Sequence, residues 1–237
     1  MARFARLLAS PVLEVAGQMA LDEALLDAAL PFPCLRIYRW PVGAPSATFG
    51  YAQRFAEVRA VLESPFRERC TRRLTGGGIV LHDDDLTFSI VHPLGDAPWN
   101  PAETYRTFHL ALAGALRQAG VEAVPVPAAA PDAADRSRPS VEGASQCFRE
   151  PVAFDLLDAA GRKILGGALR HRRGHALYQG ALRLPGARGG RQGALSVAIQ
   201  GAFATIFQAD ALLPMAAPVP SEGACARYAS RQWIQMR

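Results

Sequence analysis

Lysine is almost absent from this chain. Of its 26 basic residues, 25 are arginine, and Lys163 is the only lysine among 237 residues. Arginine replaces lysine readily on a solvated surface or in a salt bridge. It fails where a compact ammonium must fit or where a smaller donor must point at one atom. Lys163 is therefore either a chance survivor of compositional drift or a position where arginine does not work. Long apolar runs are missing too: no stretch approaches the roughly 18 residues a membrane span needs. The N-terminus carries Arg3 and Arg6 but no long apolar core, which argues against a secretory signal. The four cysteines (Cys34, Cys70, Cys147 and Cys225) form no C-x-x-C pair and no zinc-ligand spacing. They read as free thiols of a reducing, cytoplasmic compartment. The net charge is +5, yet no Lys/Arg run exceeds two residues and no nucleic-acid motif is present. That excludes nucleic acid as the expected partner and favours an acidic protein.

Half the residues are apolar and a fifth are charged, the balance of a globular protein. The length suits one large domain spanning 1–237. Helices are expected over 15–30, 55–62, 101–120 and from about 191 to 207. The first is drawn with Asp22 and Asp27 turned outward, and the third with Pro101 in its first turn and Gly120 at its C-terminus. Strands are expected over 35–40, 47–51, 70–74, 86–91, 121–126 and 175–184, with a hairpin of 152–157 against 163–170. Residues 127–145, rich in Pro, Ala, Asp and Ser, read as a long loop. Hairpin-rich strands with a few helices point to an α+β fold built on a mixed, largely antiparallel sheet flanked by helices.

Two segments carry chemistry. In the first, Arg72 and Arg73 precede Gly76, Gly77 and Gly78, and Ile79, Val80, His82 and Asp83 follow. Three glycines between strands let backbone approach a ligand, and two arginines can pair with a carboxylate or phosphate. A bulged hairpin would need the same glycines. The pattern is neither a P-loop nor G-x-G-x-x-G. Asp83 is placed to brace His82, and the acidic run Asp83 to Asp85 reads as a solvated turn. Neither this run nor His171 with His175 is expected to hold a metal, because a four-residue spacing in strands does not share a face as it does on a helix.

The second segment runs from Cys147-Phe148 through Phe154-Asp155-Leu156 to Gly161-Arg162-Lys163-Ile164-Leu165-Gly166-Gly167-Ala168, with Gln179-Gly180 beyond. A hairpin of 152–157 and 163–169 would bring Cys147 and Lys163 together at its open end. An ammonium beside a thiol favours the thiolate and activates it for acyl transfer. A buried apolar thiol is the alternative for Cys147 and the default for Cys34, Cys70 and Cys225.

Taken in order from about residue 15 to 184, these motifs resemble the lipoate/octanoate protein ligase and transferase family. The resemblance rests on Met19 to Leu26, Thr48 to Gln53, Arg72-Arg73-x-Thr75-Gly76-Gly77-Gly78-x-Val80-x-His82-Asp83, and Gly161-Arg162-Lys163-Ile164-x-Gly166-x-Ala168. The ending Arg227-Tyr228-Ala229-Ser230-x-x-Trp233 is similar to that of the Cys-dependent octanoyltransferase branch. The resemblance implies a fold shared with biotin protein ligases and class II aminoacyl-tRNA synthetases. It implies Lys163 as the essential lysine, Cys147 as the nucleophile, and Arg72, Gly76 to Val80 and His82 as the ligand-binding turn. Gly166, Gly167 and Ala168 would add backbone N–H groups near the acyl carbonyl.

The implied reaction moves an octanoyl or lipoyl-type acyl group from acyl carrier protein to a lysine of a lipoyl-domain protein or glycine cleavage H protein. It needs no cofactor, no membrane and no nucleic acid. An ATP- and Mg-dependent lipoate–protein ligase is the alternative, against which stands the lack of room for a further C-terminal domain. A non-catalytic acyl-binding homologue is a third reading. Two departures from the family pattern stand out: Gly167 where a serine is usual, and Leu169 where a glutamine is expected. The part from 185 to 237 is also expected to be shortened.

Overall fold

The runs at 86–91 and 175–184, expected as strands from their apolar content, form the centre of an eight-stranded sheet. A computed structural model of the chain describes residues 3–95, 98–128, 148 and 151–236. Its large sheet holds β1 (Phe4–Ala9), β2 (Cys34–Ile37), β6 (Asp85–Pro93), β7 (Val124–Pro125), β8 (Leu156–Leu157), β9 (Lys163–Arg172), β10 (His175–Arg183) and β11 (Ala211–Ala216). The order is β11-β1-β2-β6-β10-β9-β8-β7. Only the pairs β1/β11 and β1/β2 are parallel; the other pairs in this sheet are antiparallel. A smaller sheet orders β4 (Cys70–Arg72), β3 (Ser46–Phe49) and β5 (Val80–His82). The α+β architecture with a mostly antiparallel sheet is as the sequence implied.

Alternation along the central strands divides the core. Leu35, Ile90, Tyr178 and Leu182 join a cluster with α3 (Pro101–Gln118) and α4 (Gln192–Phe207). Their neighbours Cys34, Val91 and Leu177 join another with α1 (Val15–Asp27) and α5 (Glu222–Ala229). Successive side chains of a strand face opposite ways, so the two helix pairs cover opposite faces of the sheet. The small sheet packs with α2 (Phe55–Val61) around Ala47, Phe49, Val58 and Ile79. Among the described residues no helix is long and apolar enough to cross a membrane.

The signals that set α3 work as expected. Pro101 lies in the first turn, Asn100 accepts the Glu103 N–H, and Gly120 takes φ +73° just past the end. The expected strand over 121–126 shrinks to two residues. Pro125 and Pro127 cannot donate to a ladder, and β7 lies at the sheet edge, where proline is tolerated. Pro214 explains why β11, the other edge, does not read as a strand in sequence. The region from 185 onward, expected to be shortened, contains α4, β11, α5 and the one-turn α6 (Arg231–Ile234).

Asp22 corrects the outward placement drawn for it. The helix α1 lies between the sheet and α5, so it is buried around most of its circumference, and Asp22 is 1% exposed. The Arg36 guanidinium, itself fully buried on β2, draws it inward at 2.6 Å.

Candidate functional site

The two chemical segments meet in a cleft enclosing about 390 Å³ of atom-free space, open solvent at its mouth included. Its floor is the β9/β10 pairing, where Gly166 faces Ala181, Gly167 faces Gly180 and Ala168 faces Gln179. Gly166, Ala168 and Ala181 leave room above the sheet that larger side chains would fill, whereas Gly167 and Gly180 turn toward Tyr178 on the opposite face. One wall comes from the small sheet and the turn next to it, through Thr48, Arg73, Val80 and His82; Thr87 adds to it from β6. Met19 and Tyr38 close the other side.

The glycine turn is held from within. Gly77 has φ +87°, and a Cβ on Gly50 would lie 1.9 Å from the Gly77 carbonyl oxygen. The close approach of these two backbones therefore requires glycine at both positions. Arg73 donates to the carbonyls of Gly76 (2.5 Å) and Gly78 (2.8 Å), bracing the turn while lining the cleft. Arg72 is fully buried, and its guanidinium reaches the carbonyls of Tyr51 (2.6 Å), Gln53 (2.7 Å) and Ile234 (2.8 Å). Trp233 returns a bond from its indole N–H to the Arg72 carbonyl at 2.8 Å. The C-terminal motif thus anchors the base of the turn. Ile79 belongs to the core of the small sheet.

His82 does not lean on Asp83 as expected. Its Nδ1 meets the Asp85 carboxylate at 2.8 Å, whereas Asp83 pairs with Arg183 at the surface. Asp85 is buried, so the acidic run is a solvated turn only in its first part. Burial alone would lift the Asp85 carboxyl. The charge and hydrogen bond of His82, with Arg188 and the Thr87 hydroxyl, hold it below the usual carboxylate value. The His82 ring stacks on Trp40 at 4.5 Å, and its Nε2 lies 2.9 Å from the Thr48 hydroxyl.

Lys163 begins β9 three residues before the cleft floor, its side chain 3% exposed. Its ammonium meets the fully buried Asp155 carboxylate at 2.7 Å. Asp155 also accepts the Tyr105 hydroxyl at 2.6 Å and the Val152 N–H at 2.7 Å. Burial and the Asp155 charge push the Tyr105 phenol well above its ordinary value, so it stays a neutral donor. The same oxygen accepts the Gly167 N–H at 3.2 Å, which ties the lysine pair to the cleft floor. Behind it, His109 is pushed down to about 3, chiefly by burial, and bridges the Phe154 carbonyl and the Tyr178 hydroxyl as a neutral ring. The Phe148 ring lies 5.7 Å from the Lys163 ammonium. Cys147, the residue before it in sequence, lies outside the described residues. Of the other thiols, burial pushes Cys34 up to about 12 and Cys70 up to about 11, so both remain protonated.

Asp155 escaped notice in the sequence although it stands eight positions before the sole lysine, in a segment already singled out. Tyr105 and His109, one helical turn apart on α3, offered no signal linking them to Lys163. Thr48, Met19 and Gln179 sit within quoted motifs, but only the fold shows that they border one cleft.

Gly167, a departure from the family pattern, has a local cause. A Cβ there would fall 2.4 Å from the Tyr178 hydroxyl oxygen and 2.5 Å from its ring. Leu169 packs against the same apolar cluster as Tyr178. Restoring a serine, Gly167→Ser, should force the buried Tyr178 aside at a cost of about 1–3 kcal/mol. Calorimetry should then show the melting temperature falling by roughly 2–12 °C. An unchanged melting temperature would show that the ring does not fix this glycine.

The family model for the lipoyl protein ligase A/B catalytic domain matches residues 14–195. An octanoyltransferase LipM from Oceanobacillus iheyensis is 35% identical over 179 residues, covering 72% of this chain and 60% of that protein. The LipM of Kyrpidia tusciae is 34% identical over 176 residues, covering 71% of this chain and 62% of that protein. The chain thus spans about 60% of the length of these curated relatives. Among solved structures, a bipartite lipoate protein ligase from Thermoplasma acidophilum, described with its E2 lipoyl domain, superposes with a TM-score of 0.69. It shares 20% identity and covers 98% of this chain and 96% of that one. At that identity the likeness concerns the fold.

Proposed function

The chain belongs to the lipoyl protein ligase A/B catalytic domain family, and from that premise we propose that it is an octanoyltransferase working through a Cys147 thioester. The donor is octanoyl acyl carrier protein. The acceptor is a lysine of a lipoyl-domain protein or glycine cleavage H protein. The observation that carries this reading is the sole lysine, held buried against Asp155 beside Phe148, the neighbour of Cys147 in sequence. Relatives 34–35% identical that are octanoyltransferases support it.

The Cys147 thiolate attacks the octanoyl thioester carbonyl, and the carrier thiol departs with the electron pair of the broken C–S bond. The acceptor amine then attacks the enzyme thioester, forming the amide and releasing Cys147. Lys163, aimed by Asp155, stabilises the thiolate in both steps. The cleft above Gly166 to Ala168 takes the acyl chain, because its lining is small and largely apolar.

Incubation with octanoyl carrier protein, without acceptor, should leave a hydroxylamine-labile octanoyl adduct on the wild-type chain. Cys147→Ala should carry none. An adduct of equal yield in that variant, or none in the wild type, rules the thioester route out.

A further inference from the structure

We propose that Thr48, His82 and Asp85 form a proton relay on the cleft wall that deprotonates the attacking amine during acyl transfer. This rests on the transfer reading above and adds a second catalytic group to the same cleft, distinct from the Lys163 pair.

The geometry is directional. Asp85 Oδ2 lies 2.8 Å from His82 Nδ1, and His82 Nε2 lies 2.9 Å from Thr48 Oγ1. An ionised carboxylate only accepts, so Nδ1 carries a hydrogen toward Asp85; in the ring form that acts as base, Nε2 is then the atom that accepts from the threonine hydroxyl. A buried acid, an imidazole oriented by it and a hydroxyl at the far nitrogen are the parts of a base-activated hydroxyl. Stacking on Trp40 fixes the ring plane. Arg188 holds the second Asp85 oxygen at 2.9 Å, so the carboxylate cannot swing away.

Thr48 and His82 line the cleft whose floor is Gly166 to Ala168, while Asp85 stands behind them. Thr48 Oγ1 donates to His82 and receives Arg73 Nη1 at a long 3.4 Å. A hydroxyl oxygen has two lone pairs, which leaves one for an N–H in the cleft. Arg73 also supports negative charge on that oxygen as its proton leaves. Thr48 and His82 are thus the catalytic groups, and Asp85 is a positioning residue.

The neutral amine of the acceptor bonds to the acyl carbonyl carbon. Its proton passes to Thr48 Oγ1 while the threonine's own proton passes to His82 Nε2. The C–S bond then breaks with its electron pair on sulfur, leaving an amide, a thiolate and an imidazolium paired with Asp85. The imidazolium releases its proton to the thiolate or to water before the next turnover.

Single-turnover mass spectrometry of the full chain separates the two half-reactions, with octanoyl carrier protein as donor and a purified lipoyl domain as acceptor. Thr48→Val keeps the side-chain shape and removes the hydroxyl. It should slow transfer to the acceptor about 100-fold, with acylation slowed at least tenfold less. Thr48→Ser should recover most of the transfer rate, and Asp85→Asn should slow transfer by misdirecting the imidazole. Equal slowing of both half-reactions in Thr48→Val would assign Thr48 to packing and overturn the relay, as would no slowing. Should the wild-type chain form no acyl-enzyme, the thioester reading fails instead. The variants are then compared in transfer from pre-made octanoyl adenylate, where rates equal to wild type overturn the relay.

Discussion

Lys163→Ala should abolish acyl transfer, by about 1,000-fold or more, and should also lower stability by about 3–5 kcal/mol. The stability loss follows from what remains. The Asp155 carboxylate is fully buried, and without the ammonium at 2.7 Å it is a charge with no opposite partner at that oxygen. Removing one member of a buried pair costs about that much, whereas replacing both is often neutral. The activity loss follows from the thiolate, which loses the cation that favours it.

A second substitution separates the two effects. Lys163→Met combined with Asp155→Leu should regain much of the urea midpoint while staying inactive. A double variant that regains activity would show that Lys163 acts only as a structural ion. Lys163→Arg probes the compositional signal directly. The Lys163 side chain is 3% exposed, so its surroundings leave little space for a bulkier group. A planar guanidinium is larger than an ammonium, so the variant should retain the charge and still lose most of its activity.

Asp22→Ala should be the most destabilising substitution outside the Lys163 pair, lowering the melting temperature by roughly 6–20 °C. Four groups converge on this one carboxylate. Arg36 meets it at 2.6 Å, Gln179 at 2.7 Å and Ser89 at 2.8 Å, and the Tyr38 hydroxyl donates to it as well. Burial and the Asp22 charge raise the Tyr38 phenol well above its ordinary value, so it remains a donor. Without the carboxylate, the fully buried Arg36 guanidinium loses its counter-ion. The loss should also reach the cleft, because Gln179 is the link. Its amide nitrogen holds Asp22, and its oxygen accepts the Thr75 hydroxyl of the glycine turn at 2.7 Å. Asp22→Asn keeps an acceptor and should fall between wild type and alanine in a thermal melt. A wild-type melt for Asp22→Ala would remove the hub from the account.

The hydrophobic runs and the punctuation by proline and glycine were enough to place most helices and the central strands. They worked because α3 carries its own signals: Asn100, Pro101 and Gly120 mark its ends locally. The edge strands were less legible, since Pro125 and Pro214 are tolerated there only by virtue of their place in the sheet. Asp22 shows a different limit. A helix covered on several sides presents no single polar face, and whether an acid points inward depends on Arg36, fourteen residues away. The site divides in the same way. The lysine count singled out Lys163 and the triple glycine marked the turn. Tyr105 and Thr48 depend on contacts between distant elements, while the pairs Asp155–Lys163 and His82–Asp85 depend on how the chain turns between residues close in sequence. The two arginines before the turn illustrate this. They are alike in sequence, yet Arg73 lines the cleft while Arg72 binds backbone carbonyls beneath it.

The central claim is transfer from a thioester. Its most direct test is mass spectrometry of a lipoyl domain incubated with this chain and either octanoyl carrier protein alone or lipoate with ATP and Mg. The expected result is an octanoyl-modified lysine in the first reaction, preceded by octanoyl on Cys147. Modification only in the second reaction, with Cys147 unmodified, would contradict the account and make the protein an ATP-dependent ligase.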